Sequence, residues 1–221
     1  MQFKVDLKIF LFLILFYITG QLGEYAVILI LAFVHELGHL LAGIILGMKP
    51  AKLELKPYGI SISFKINPND YNKKIAKGNL LELKKAIVAC AGPLTNLIII
   101  IITLNLRLNI FTSLLIIYSN ILLIIFNLIP MYPLDGGRIV KSLIYLFLGK
   151  KKAEKYTNNI SFIFLIIVTF MGSVATFYFE NMAIFLIIIC LWLIYIKEDI
   201  TYKKKIKIYD LIEKTIENNV D

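Results

Sequence analysis

The stretch YAVILILAFVHELGHLLAGIILG, residues 25–47, decides the fold of this chain. It is almost entirely apolar and has the length that a helix needs to cross a hydrocarbon core of about 30 Å. Three ionisable residues, His35, Glu36 and His39, interrupt it near its centre. Because ionisable groups are energetically unfavourable inside a membrane span, their presence there favours a functional site.

The composition of the whole chain also indicates a membrane protein. Of its 221 residues 59% are hydrophobic, more than ordinary soluble globular domains contain. Five further apolar stretches are predicted to cross the bilayer as helices, namely residues 9–23, 86–106, 110–129, 160–179 and 182–196. We therefore predict an all-α polytopic membrane protein with six transmembrane helices, forming one domain over residues 1–221.

The distribution of positive charge predicts the topology. The net charge of +9 includes 24 Lys and Arg residues, and six spans with a cytoplasmic amino terminus leave 23 of them inside and only Arg107 outside. We expect a multi-pass cell-membrane protein with both termini cytoplasmic and a short charged cytoplasmic tail at residues 197–221. Because the basic clusters flank the spans, their expected partner is the lipid bilayer and not nucleic acid.

A short β-hairpin is predicted between the second and third spans, on the cytoplasmic side. Ile60, Ile62 and Phe64 alternate with polar residues, and the turn signal Pro57-Tyr58-Gly59 stands just before them. Alternation with a period of two is typical of a strand whose two faces differ. A solvated loop is the alternative for this segment.

The two histidines of the opening stretch have the spacing of a metal site. On a helix, His35 and His39 lie one turn apart on the same face, where one zinc ion could accept both imidazoles. Glu36 follows the first histidine and could act as general base toward a water that attacks a peptide carbonyl. The chain has only two histidines, and both are used here. The alternative is that they are polar groups that only join packed helices.

A third metal ligand has to come from a carboxylate. Zinc in catalytic sites usually has three protein ligands and one open position, and the chain has no third histidine. Asp135 is the acidic residue with the most unusual setting, the apolar and proline-broken segment 127–138. Pro130 and Pro133 cannot continue a helix and could turn the chain back to the depth of the histidines. The alternative is an ordinary turn aspartate before two glycines.

The HELGH helix and the later pattern N-x-x-P-x-x-P-x-D-G-G-R together resemble the site-2 protease family of intramembrane zinc metalloproteases. The resemblance implies that His35, His39 and Asp135 hold one zinc ion per chain and that Glu36 is the general base. It also implies that Asn127 is catalytic, either by positioning the substrate or by polarising the scissile carbonyl. The active site is expected toward the cytoplasmic side of the membrane.

A further segment, Ala91-Gly92-Pro93-Leu94-Thr95-Asn96, resembles the A-G-P-x-x-N stretch on the next helix of that family. A buried asparagine in a lipid-spanning helix favours a hydrogen bond inside the protein over a lipid-facing position. Asn96 is therefore a candidate for substrate binding. A bond that merely joins two helices is the alternative.

The narrowest likeness is to the sporulation branch of the family, which processes a membrane-associated sigma-factor precursor. This resemblance implies a sigma-factor precursor as substrate and a membrane inhibitor protein as a further partner. Some members carry a nucleotide-binding CBS domain, for which residues 197–221 leave no room, so regulation by ATP is in doubt. A minimal site-2 protease acting on an anti-sigma factor or a signal-peptide remnant is the alternative within the family.

Two other classes of protein compete with a protease. A metal-ion transporter also places His, Glu and Asp inside spans, although transport sites usually offer ligands along a path and here they form one cluster. A catalytically silent membrane scaffold is the third reading. Cys90 and Cys190 form no metal-type pair and are expected to be buried apolar side chains.

Overall fold

The computed structural model describes residues 2–5, 17, 20, 22–56, 59–65, 75–106, 109–179 and 182–217. The elements in chain order are β1 (Gln2–Val5), α1 (Leu22–Ile45), β2 (Lys49–Lys56), β3 (Gly59–Lys65), α2 (Ile75–Asn105), α3 (Ile110–Leu128), α4 (Asp135–Leu148), α5 (Lys150–Phe179) and α6 (Met182–Glu217). The chain divides into two compact units, Met1–Leu128 and Ile129–Asp221. The single domain over residues 1–221 stays a prediction.

Four helical segments of the described residues are long and apolar enough to cross a membrane. They are Tyr25–Ile45, Gly78–Asn105, Ile110–Leu128 and Lys150–Tyr178. Each overlaps one of the predicted spans, because a run of about 20 apolar residues is a strong local signal. Most of the predicted span at 9–23 lies outside the described residues, and the span at 182–196 falls within the long helix α6. Six crossings therefore remain a prediction.

In the first unit, helix α1 packs against α2, α3, β2 and β3. A small apolar cluster of Leu31, Ala32 and Leu123 joins α1 to α3. Helix α2 approaches α1 closely at Gly38 of α1, where an added Cβ would collide with the side chain of Thr95 on α2. Small residues at such positions let transmembrane helices pack closely, so the register of α1 on α2 is well defined.

Strands β2 and β3 pair antiparallel, with Leu53 opposite Ile62 and Leu55 opposite Ile60. The tip of the predicted hairpin, Pro57 and Tyr58, lies outside the described residues. Strand β1 pairs in parallel with the other edge of β2, which gives a sheet of order β1-β2-β3. Strand β1 was not predicted from the sequence, because a segment of four residues is too short to show an alternating strand pattern.

Helix α1 ends in a turn that leads directly into the sheet. Gly47 has a φ of 75°, a left-handed conformation that glycine adopts without strain. The N–H of Met48 donates to the carbonyl of Gly43 at 2.8 Å, which is the Schellman arrangement of a helix end. Lys84 of α2 donates to the carbonyl of Leu46 at 2.8 Å. These bonds fix where β2 begins relative to the histidine helix.

The ring of Phe64 on β3 lies against the bare backbone of Gly43, so that a Cβ on Gly43 would overlap the ring. We expect Gly43→Ala to destabilise the protein by about 1–3 kcal/mol, because overpacking of this size forces a shift of the backbone or of side chains. Thermal unfolding in detergent measures the effect. Adding Phe64→Leu should recover part of the loss, and a Gly43→Ala protein as stable as wild type would contradict this packing.

In the second unit, α5 packs against both α4 and α6. Glu154 of α5 bonds Lys141 of α4 at 2.8 Å and Lys205 of α6 at 3.1 Å, and so links the three helices. Burial alone would lower the pKa of Lys205, but the charge and the hydrogen bond of Glu154 outweigh it and raise that pKa.

The predicted charged tail at 197–221 is helical through residue 217 and continues α6 without a break. It packs along α5, where Lys151 pairs with Asp210 at 2.7 Å and with Glu213 at 2.6 Å. Its cytoplasmic location stays a prediction.

Candidate metal centre

The two histidines of α1 are both buried, and their Nε2 atoms lie 3.1 Å apart. Two nitrogen ligands at 2.0–2.1 Å from one tetrahedral zinc ion would be about 3.3 Å apart. The pair therefore already has the spacing that a shared ion requires. The four-residue separation of His35 and His39 on a helix produces this geometry.

The carbonyl of Val88 on α2 orients one of the rings. His39 Nδ1 lies 2.7 Å from this oxygen, which can only accept a hydrogen bond, so Nδ1 carries the proton and donates. In a neutral imidazole the other nitrogen, Nε2, then presents a lone pair. Metal-binding histidines are commonly fixed in this way by a hydrogen bond from the nitrogen that does not bind the metal.

The two Nε2 atoms lie close against the bare backbone of Gly92 on α2. A Cβ at this position would collide with Nε2 of both His35 and His39. Only a residue without a side chain fits against the faces that would bind a metal. The roles of Gly92 and Val88 could not be predicted from the sequence, because they depend on the register of α1 against α2.

Asp135 begins helix α4 and is buried. The chain before it is held by the N–H of Tyr132, which donates to Ser161 Oγ at 2.9 Å. Gly137 allows the first turn of α4 to pack on this segment, since a Cβ there would collide with the backbone of Met131 and Tyr132. The prolines end the preceding helix as predicted, and Gly137 is needed for packing rather than for a turn.

Among the described residues, His35, His39 and Asp135 form a group that could hold a metal ion. One ligand atom from each lies within 4.8 Å of the other two, and all three residues are buried. Two imidazoles and one carboxylate are a donor set that suits zinc and leaves a fourth position open. The oriented ring of His39 and the close fit of both Nε2 atoms against Gly92 are consistent with a metal site at this position.

The other predicted site residues lie on the first unit. Glu36 follows His35 on α1 and is half-buried. Asn127 is near the end of α3, and its Nδ2 donates to the carbonyl of Leu123 at 3.0 Å. Asn96 on α2 is fully buried. Their roles in catalysis and substrate binding stay predictions.

Comparisons with known proteins find similarity to metalloproteases. The model of peptidase family M50 matches residues 105–171. The chain is 33% identical over 151 residues to the zinc metalloprotease MJ0392 of Methanocaldococcus jannaschii. The aligned region covers 62% of this chain. It spans only 40% of the length of that relative.

The structure is also similar to the solved site-2 protease from Methanocaldococcus jannaschii, with a TM-score of 0.62. The two chains are 22% identical, and the match covers 89% of each. This similarity shows the fold. The family model and the sequence relative thus show that part of this chain is similar to peptidase family M50.

Proposed function

We propose that this protein is an intramembrane zinc metalloprotease that cleaves membrane-associated protein substrates. The observation that carries the proposal is the group of two buried imidazoles and one buried carboxylate whose ligand atoms lie within 4.8 Å of one another. The candidate transmembrane segment Tyr25–Ile45 contains both histidines, and therefore the chemistry would take place below the membrane surface.

In this proposal His35, His39 and Asp135 hold the metal. A zinc ion bound by them would act as a Lewis acid, which polarises a carbonyl and makes water a better nucleophile at neutral pH. The N–H of His39 that donates to Val88 keeps the ring in the orientation required for binding. Burial of all three ligands removes competing water and strengthens the electrostatic interactions of the site.

Glu36 would transfer the proton, and Asn127 would position the scissile carbonyl of the substrate. As general base, the Glu36 carboxylate takes a proton from the attacking water and later returns it to the leaving amine. The Nδ2 group of Asn127 has two N–H bonds. One donates to the carbonyl of Leu123, and the other can donate to the scissile carbonyl.

The finer features of the proposal come from the resemblance of the sequence to the sporulation branch. The proposed substrate is a sigma-factor precursor, and an anti-sigma factor or a signal-peptide remnant is the alternative. A membrane inhibitor protein is a proposed partner. From the distribution of Lys and Arg along the chain, we also propose that both termini and the active site lie on the cytoplasmic side of the cell membrane. The comparisons give no support to the transporter reading.

Co-expression with membrane-tethered sigma-factor precursors tests the activity. We expect the wild-type protein to shorten a precursor and Glu36→Gln to cleave it about 10²- to 10⁴-fold more slowly, the range that general-base catalysis contributes. Immunoblots of the substrate and zinc analysis of the purified proteins are the measurements.

The matched control is Glu213→Gln, which removes an exposed carboxylate that pairs with Lys151 at the protein surface. This variant should cleave as the wild type does. Equal cleavage by wild type and Glu36→Gln would contradict the role of the base. A Glu36→Gln protein that changes ion flux across vesicles would instead favour a transporter.

A further inference from the structure

Three residues at four-residue spacing form one stripe along α2, next to the histidine helix. The carbonyl of Val88 holds His39 Nδ1, and Gly92 faces the Nε2 atoms of both histidines. Asn96 is the next residue on this stripe. Since a helix rises 1.5 Å per residue, Asn96 lies about 6 Å beyond Gly92 along the axis, on nearly the same face.

The carboxamide of Asn96 differs from those of neighbouring asparagines. Its side chain is 0% exposed, and neither Nδ2 nor Oδ1 has a hydrogen-bond partner among the described residues. Three other asparagines on α2 and α3 each donate Nδ2 to the carbonyl four residues earlier, in the pairs Asn105 to Ile101, Asn120 to Ile116 and Asn127 to Leu123. Asn96 does not make this hydrogen bond to the carbonyl four residues earlier.

A buried amide without hydrogen-bond partners lowers the stability of the protein. An unsatisfied buried donor or acceptor costs about 1–3 kcal/mol, and native proteins pair the great majority of such groups. A leucine of similar size would avoid this penalty in an apolar helix. Polar groups that destabilise the free protein are a feature of sites that bind a polar ligand.

The backbone of α2 is also altered next to this stripe. Pro93 lies inside the helix and has no N–H, so the buried carbonyl of Ala89 does not receive the usual bond from residue 93. A carbonyl released from the helical ladder and an unpaired carboxamide thus lie on the same part of α2. Both are groups that a polypeptide backbone can pair with.

We propose that the Asn96 carboxamide binds the main chain of the unwound substrate, beside the metal-binding histidines. Its Nδ2 donates to a substrate carbonyl and its Oδ1 accepts a substrate N–H. A carboxamide has the same donor and acceptor as a peptide group, so this contact recognises an extended backbone of any sequence. The inference rests on the proposed protease function and names the substrate feature that the site recognises.

Asn96→Leu separates a binding role from a structural one. We expect the melting temperature to stay the same or rise, because the unsatisfied amide is removed. The KM for a tethered substrate should rise about 10- to 100-fold, as two hydrogen bonds to the substrate are lost, while zinc content and kcat change little. Asn96→Ala should show the same rise in KM if the leucine cannot be accommodated.

Asn120→Leu is the matched control, since Asn120 is also 0% exposed but already donates to Ile116. It should leave KM unchanged, although it also removes a buried amide oxygen that has no partner among the described residues. The proposal is wrong if Asn96→Leu and Asn96→Ala cleave with the wild-type KM, or if Asn120→Leu raises KM as much as they do. Failure of the protease function is distinguishable, because wild type and Glu36→Gln would then cleave equally.

Discussion

Gly92→Ala is expected to reduce zinc affinity and the rate of cleavage about 100-fold or more, although it adds a single carbon atom. The added Cβ would collide with the Nε2 atoms of His35 and His39, the atoms that would bind the metal. The ring of His39 cannot turn away without losing its hydrogen bond to Val88. Disturbing even an outer-shell partner of a metal typically costs 10- to 100-fold in affinity, and this change affects the ligands themselves.

Zinc content of the purified protein and competition with a chelator of known affinity measure the first effect. Gly23→Ala is the control, because it lies on α1 in a position where an added Cβ meets nothing within 4 Å. This variant should bind zinc and cleave substrate as the wild type does. A Gly92→Ala protein with full zinc content and activity would show that the two Nε2 atoms do not face the metal.

The second large effect is expected for Asp135→Ala. This change removes the carboxylate of the three-residue group and leaves only the two imidazoles. We expect zinc affinity to fall more than about 100-fold and cleavage to be lost, because losing a direct ligand has a larger effect than losing an outer-shell partner. Isothermal titration of the metal-free protein with zinc measures the affinity.

Asp210→Ala is the matched control for the loss of an aspartate from the same unit. Its carboxylate is about half exposed and pairs with Lys151 at the surface, so little stability and no zinc affinity should be lost. If Asp135→Ala binds zinc as tightly as this control does, the carboxylate is not a ligand and the donor set has to be revised.

Features that depend on nearby residues were predictable from the sequence. The apolar segments around α1, α2, α3 and α5 are visible as long hydrophobic runs. The pairing of His35 with His39 follows from helical periodicity alone. Asp135 could be nominated by chemistry, because zinc needs a third ligand and few acidic residues lie in apolar surroundings.

Features that depend on distant residues were not predictable. The hydrogen bond from His39 to Val88 and the close fit of both histidines against Gly92 require a particular register of α1 on α2. The missing partners of Asn96 can be recognised only when the neighbouring side chains are in place. The helical extension of α6 is stabilised by ion pairs with α5 between residues about 60 positions apart in the sequence.

X-ray absorption at the zinc edge of the purified, zinc-loaded protein can show directly whether His35, His39 and Asp135 bind zinc. We predict one zinc ion per chain, with two imidazole nitrogens at about 2.0–2.1 Å and a carboxylate oxygen at about 2.0–2.2 Å. A protein that binds no zinc, or a zinc ion whose nearest shell lacks the two imidazole nitrogens, would contradict the account.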